Sequence, residues 1–146
     1  MDATCPGTWT PFKMVLDADG SVIPPEDGQL LVVESAGDLT GSQHQDSKGN
    51  PISSNGKGEC RPHPDMTRRI MTLRFTENNF NYFLRGETKE VSGGSIVTGC
   101  FIRFATLPQV RDGKLVFDDP GDTGTWQGQQ TVTDSQASKR KAGRRR

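Results

Sequence analysis

The sequence has few apolar residues and no long apolar run. Hydrophobic residue types make up 31% of its 146 residues, against ~45–50% in typical soluble domains when glycine is counted with them. No apolar stretch approaches the ~20 residues that a membrane-spanning helix needs, so we expect no membrane span. The length suits one domain, and the composition indicates a small core with long polar loops.

Cysteine is also scarce, and its number is odd. Cys5, Cys60 and Cys100 are far apart in the sequence and form no paired framework of the kind that disulfide-rich secreted domains have. The first residues lack the basic and apolar regions of a signal peptide. These features predict a reduced, cytoplasmic protein in which Cys60 is a free thiol on a loop.

Recognisable motifs for catalysis or for metal and cofactor binding are missing. Cys60 and His63 stand three residues apart, but zinc takes three or four such ligands, and the sequence offers no second paired motif. The acidic turn that begins at Asp17 lacks the glycine and glutamate of a calcium-binding EF-hand loop. Neither a phosphate-binding glycine motif nor a nucleophile elbow is present. We therefore predict no catalytic residue, no metal and no cofactor.

Strand signals replace helical periodicity along the chain. The apolar residues form short runs rich in β-branched and aromatic types, separated by Gly, Pro, Asn and Asp. Pairs such as Asn78-Asn79 and Asp112-Gly113 supply turns, because these residue types tolerate positive φ. The runs predict about eight strands, at residues 8–16, 29–35, 39–45, 68–76, 79–88, 94–105, 114–117 and 123–133.

Several of these runs alternate between apolar and polar residues. Met71, Leu73 and Phe75 share one face of their strand, and in 80–85 the alternation is broken by Phe83. One-sided strands are typical of antiparallel sheets. We predict an all-β, antiparallel up-and-down meander closed into a barrel, since closure removes the unpaired edges, with a β-sandwich as the alternative.

The predicted organisation is one barrel domain over residues 1–133, followed by a disordered basic tail over 134–146. Within the domain, residues 46–66 read as a long polar loop. The formal net charge of zero is a cancellation: residues 139–146 have six cations, and the 138 residues before them carry 12 basic against 18 acidic side chains. The anion-binding candidates of the tail are Lys139, Arg140, Lys141, Arg144, Arg145 and Arg146.

Three short segments carry a family resemblance. Residues 7–9 (Gly-Thr-Trp) resemble the Gly-x-Trp of the first strand in lipocalins and avidin-like barrels. Residues 37–42 resemble the glycine-containing second strand of avidin-like proteins, and 124–126 (Gly-Thr-Trp) resemble a closing strand of such a meander. The resemblance implies a calycin-type barrel of eight antiparallel strands that binds a small molecule at its open end.

The candidate ligand-binding residues lie on three of the predicted strands. They are Trp9, Tyr82, Trp126, Gln127 and Gln129. If the polar face of strand 123–133 points inward, its glutamines could fix a polar ligand between aromatic walls. In the alternative orientation, Trp126 faces a filled core and the glutamines are solvated.

Three functions follow as hypotheses. The first is a small-molecule-binding protein with its site in the mouth of the barrel. The second is a non-enzymatic interaction module whose basic tail engages an anionic macromolecule through non-specific, salt-dependent contacts. The third is an enzyme of the isomerase or cyclase type that uses the barrel mouth. A homo-oligomer is compatible with each of them.

Overall fold

The protein is all-β and antiparallel. Its computed structural model describes residues 4–35 and 38–131, and no helix occurs in that part of the chain. The strands are β1 (Gly7–Trp9), β2 (Phe12–Leu16), β3 (Gln29–Val32), β4 (Gln43–Gln45), β5 (Lys57–Pro62), β6 (Arg69–Glu77), β7 (Phe80–Val91), β8 (Gly94–Phe104), β9 (Gln109–Arg111), β10 (Lys114–Val116) and β11 (Asp122–Thr131).

The strands form three sheets. The large sheet has six strands in the order β2-β11-β8-β7-β6-β5, the small sheet has three in the order β1-β3-β4, and β9 and β10 form a separate hairpin. Tight turns join the long strands. Asn78 and Asn79 turn β6 into β7 with φ of 50° and 65°, and Asp112 turns β9 into β10 with φ of 52°. The predicted turns at these places are confirmed.

The eight predicted strands correspond to nine of the eleven observed ones. The first predicted strand is split into β1 and β2, because Pro11 lies between them and proline lacks the amide hydrogen that a ladder needs. Two strands were not predicted. These are the short β9 and β5. Strand β5 occupies residues 57–62 of the segment 46–66 that we predicted as a loop.

The prediction of a barrel closed by one sheet is not confirmed, because none of the three sheets closes on itself. The small sheet is nevertheless hydrogen-bonded to both sides of the large one. On one side the amide of Phe12 donates to the carbonyl of Gly28 at 2.7 Å. On the other side the amides of Leu39 and Gly41 donate to the carbonyls of Gly58 and Gly56, at 3.0 and 2.9 Å.

The space between the small and large sheets is filled with side chains. Both sheets contribute residues that are less than 2% exposed, and the buried apolar side chains form one cluster. The largest apolar side chains that are less than 2% exposed are Trp9, Tyr82, Phe12, Met14, Leu30, Leu39 and Met71. The middle of the molecule is therefore a core of packed side chains.

Trp126 owes its place in this core to Gly86, a glycine of β7. Gly86 and Gly99 are register partners, and Gly99 is also the partner of Trp126. A Cβ at Gly86 would lie 2.5 Å from Cζ2 of the Trp126 ring, so the missing side chain makes room for the indole. The indole Nε1 donates to the carbonyls of Arg85 and Cys100, at 3.1 and 3.2 Å.

A disulfide bond joins the start of the chain to the edge of the large sheet. Cys5 and Cys60 are 55 residues apart in sequence, and their Cα atoms are 6.1 Å apart. The prediction that Cys60 is a free thiol on a loop is therefore wrong. The free thiol is that of Cys100, which is exposed. The indole of Trp9 donates to the carbonyl of Cys5 at 2.9 Å, next to the disulfide.

Helices that could cross a membrane are absent from residues 4–35 and 38–131.

Candidate functional site

The five predicted ligand-binding residues do not form one site. Trp9, Tyr82 and Trp126 point into the core and are at most 2% exposed. Gln127 and Gln129 are exposed on the opposite face of β11, where they pair across the large sheet with Thr98 and Ile96. Strand β11 therefore has the alternative orientation considered above, in which Trp126 faces the core and the glutamines are solvated.

Tyr82, one of these five residues, borders a cavity. The cavity, which we call the end cavity, measures about 540 Å³ and lies where the β2–β3 connection meets the β6–β7 turn. Its apolar wall consists of Leu16, Val22, Ile23, Pro24 and Ile52. Its polar groups come from Ser21, Glu77, Asn78, Tyr82 and Arg103.

Arg103 makes three contacts at one side of the end cavity. Its guanidinium lies 4.0 Å from the centre of the Phe80 ring, its Nε donates to Asp122 at 3.1 Å, and its Nη1 donates to the hydroxyl of Tyr82 at 3.2 Å. Burial raises the pKa of Tyr82 above its ordinary value of 10.0, although Arg103 opposes the shift. Tyr82 therefore keeps its proton at neutral pH and presents a hydroxyl at the cavity.

Glu77 connects the end cavity to the core. Its carboxylate oxygen Oε1 lies 2.6 Å from Nδ1 of His44, and the two side chains are 3% and 1% exposed. The His44 ring packs edge-on against Phe12, with ring centroids 4.9 Å apart. Within the described residues its Nε2 atom has no hydrogen-bond partner. A buried polar pair that is incompletely satisfied is unfavourable for folding.

The arrangement suits binding of a small molecule that is mostly apolar and carries one polar group. The volume lies within the ~300–1,000 Å³ range of small-molecule sites. Aliphatic side chains would remove water from the apolar part of the ligand. Tyr82, Arg103 and Glu77 offer donors and an acceptor for the polar part, and their own contacts hold them in place before a ligand arrives.

A larger hollow of about 800 Å³ lies on the outer face of the large sheet. It is an open groove whose charged side chains are exposed, whereas Glu77 and Tyr82 of the end cavity are buried and Arg103 is half-buried. Ligand-binding sites are distinguished from ordinary surface grooves by buried polar groups that converge on one point. The end cavity is therefore the stronger candidate for a ligand-binding site.

Among the described residues, no group of three or more His, Cys, Asp and Glu side chains could hold a metal ion. The six cations predicted to bind anions, Lys139 to Arg146, lie outside the described residues.

Comparisons of the chain with protein-family models, with curated proteins and with solved structures find no match. The calycin-type resemblance therefore stays a prediction.

Two residues of the end cavity, Glu77 and Arg103, were not among the predicted site residues. The period-two pattern contained a signal for both. Glu77 continues the inward-facing series of Met71, Leu73 and Phe75, and Arg103 follows Phe101 by two. A charged residue at an inward position near a strand end is expected to lie at the rim of the core, where a cavity can open.

Proposed function

We propose that the protein binds a small, mostly apolar molecule in the end cavity. One observation carries the proposal: Tyr82, Arg103 and the buried carboxylate of Glu77 line a single apolar-walled cavity of about 540 Å³. The ligand site is thus proposed at the end of the molecule, as we expected for a barrel mouth, and outside the packed core.

The path of the chain supports this placement. If β1 and β2 are taken as one bent strand, the order β1/β2, β3, β4, β5, β6, β7, β8, β11 is an eight-strand meander, and the backbone hydrogen bonds between the sheets join its neighbours. We propose that this meander acts as a distorted calycin-type barrel. Barrels of about eight strands hold side chains or one small ligand, and here side chains occupy the middle.

Thermal unfolding with a ligand panel tests the proposal. Lipids, flavonoids, haem and vitamins are each added to the intact protein, because a ligand that binds the folded state raises the melting temperature by mass action. We expect at least one apolar compound with a polar group to raise it. If none does, ligand binding is abandoned.

Variants of the cavity then locate the site. Arg103→Met removes the cation at the cavity, and Ile52→Trp fills the cavity without touching its polar groups. Each should abolish the ligand-induced shift while Arg111→Met, which removes an exposed arginine of the β9–β10 hairpin, leaves it intact. A shift that survives in Ile52→Trp would place the ligand elsewhere.

An enzyme acting in the same cavity is a second candidate, favoured by the buried Glu77 carboxylate and its contact with His44. A carboxylate in such surroundings suits general acid–base chemistry. Each compound that the panel identifies is incubated with the protein and analysed by mass spectrometry and NMR. Conversion by the wild type that Glu77→Gln loses would support an enzyme, and recovery of unchanged compound would leave a binding protein.

The compartment belongs with these proposals. Cytoplasmic location was predicted partly from unpaired cysteines, but Cys5 and Cys60 form a disulfide, and structural disulfides persist mainly in oxidising compartments. We propose that the folded protein works where this bond stays oxidised. Cell fractionation combined with thiol labelling checks this, since labelling of Cys5 and Cys60 in the native protein would contradict it.

For the basic tail, we retain the hypothesis that it contacts an anionic macromolecule. Full-length protein and a 1–137 truncation are compared for binding to DNA, RNA and anionic vesicles at two salt concentrations. Stronger, salt-sensitive binding by the full-length protein would support a role for the tail, and equal binding would remove it.

A further inference from the structure

The outer groove is built on four neighbouring strands of the large sheet. Two adjacent cross-strand rows form its floor. One row runs Lys57–Arg74–Phe83–Ile102 and the other runs Glu59–Thr72–Arg85–Cys100. All eight residues line the groove. Phe83 is 37% exposed and is the residue that interrupts the period-two pattern of β7. An aromatic ring on the solvent face of a sheet gives the groove an apolar floor.

The lining of the groove has an excess of positive charge, with three cations and two carboxylates. Lys57, Arg74 and Arg85 are exposed, and within the described residues none of them forms an ion pair. Of the two carboxylates in the lining, that of Glu59 is paired with Arg61, and that of Asp38 accepts hydrogen bonds from Thr40.

The position of two of these cations is electrostatically unfavourable. Lys57 and Arg74 are direct register partners on β5 and β6, and like charges that face each other across strands destabilise a sheet. An anion bound between them would relieve this repulsion. Phe83, the register partner of Arg74 on the other side, would contact an apolar group attached to that anion.

We propose that the outer groove binds a small anionic amphiphile, such as a medium-chain carboxylate. Its carboxylate lies between Lys57, Arg74 and Arg85, and its chain lies over Phe83 and Ile102. This second site shares no lining residue with the end cavity. Its test is therefore independent of the test of the function proposed above.

Cys100 provides a direct reporter for the groove. It lines the groove and is the free cysteine of the protein, because Cys5 and Cys60 are bonded to each other. The intact, oxidised protein is alkylated with iodoacetamide, and the rate at Cys100 is followed by mass spectrometry. Decanoate is added below its micelle-forming concentration, and decylamine serves as the cationic control of equal chain length. We expect decanoate to slow the alkylation and decylamine to leave it unchanged.

Charge variants decide whether the protection comes from the groove. In Arg74→Gln/Arg85→Gln, decanoate should bind on the order of tenfold more weakly, since two charge-assisted contacts are lost. The matched control, Lys13→Gln/Lys89→Gln, removes two cations of the same sheet face outside the groove and should bind like wild type. The rate with decanoate is divided by the rate without it in each protein, because the variants can also change the reactivity of the thiol.

Three results would overturn the proposal. They are equal protection by decylamine, unchanged decanoate binding in Arg74→Gln/Arg85→Gln, and absence of protection by decanoate in the wild type. The melting temperatures of the variants show whether each variant is folded.

Discussion

At the scale of single residues, the contact of His44 with Glu77 is the least expected feature of the interior. Carboxylates and imidazoles are rarely buried to this degree unless they are paired. Here Glu77 meets both His44 and the end cavity. Its side chain therefore links the stability of the core to the proposed ligand site.

We predict that Glu77→Leu lowers the free energy of unfolding by about 3 kcal/mol, because it leaves the buried His44 ring without its partner. Glu77→Gln should be milder, since its amide oxygen still accepts from Nδ1. Chemical denaturation measures both, with the exposed Glu26→Leu as the control, expected within about 0.5 kcal/mol of wild type. Equal stability of Glu77→Leu and wild type would contradict the account.

Tyr82 gives a second prediction, and it is the single tyrosine of the chain. Burial raises its pKa above 10.0, so the folded state holds the phenolic proton more tightly than the unfolded state does. The stability that this contributes is present below about pH 10 and is lost as the pH rises through the higher folded-state pKa.

The phenolate absorbance of the native protein, followed against pH, should therefore rise later than that of the denatured protein. Tyr82→Phe should lessen the loss of stability at alkaline pH. Coincident titration of native and denatured protein would show that the hydroxyl is solvated.

At the scale of strands, much of the fold could be predicted from residue types, and the exceptions have physical reasons. The alternation in β6 and β7 gave their inward faces, and the asparagines gave the turn between them. β5 was missed because Lys57–Pro62 contains no β-branched residue. Its strand conformation comes from pairing with β6 and from the disulfide at Cys60, both of which are tertiary contacts.

The candidate site was less predictable for a related reason. Which face of β11 points inward depends on what lies opposite. Gly86 leaves space for an indole, and that space exists only after β7 and β8 have paired. The glutamines opposite Trp126 are consequently solvated. The sequence alone left both orientations open.

Gly86→Ala tests this explanation of the inward face of β11. The added Cβ would lie 2.5 Å from the Trp126 ring, and overpacking of a core costs about 1–3 kcal/mol. We expect a loss of that size in urea denaturation, together with a change in tryptophan fluorescence. The exposed Thr98→Ala on the neighbouring strand is the control and should change little. A Gly86→Ala protein as stable as wild type would mean that the ring has room to spare.

At the scale of the whole molecule, the disulfide ties the N-terminal segment to the sheet edge formed by β5. A chain with 31% hydrophobic residues has a small core, so a covalent link across 55 residues contributes a large share of the total stability. We predict that reduction lowers the free energy of unfolding by about 2–4 kcal/mol.

Urea denaturation with and without reductant measures this loss. In Cys100→Ser the free thiol is removed and the Cys5–Cys60 disulfide remains. This variant should respond to reductant as the wild type does. A midpoint that does not move on reduction in Cys100→Ser would contradict the predicted contribution.

The central claim is that the middle of the molecule is filled and that a ligand binds at its end, against Tyr82. The most direct test is an NMR titration of protein labelled with ¹³C in its single tyrosine, using the compound that raises the melting temperature most. Saturable movement of the Tyr82 ring signals, absent in Ile52→Trp, is the result we predict. Ring signals that stay in place while the same compound stabilises the protein would contradict it.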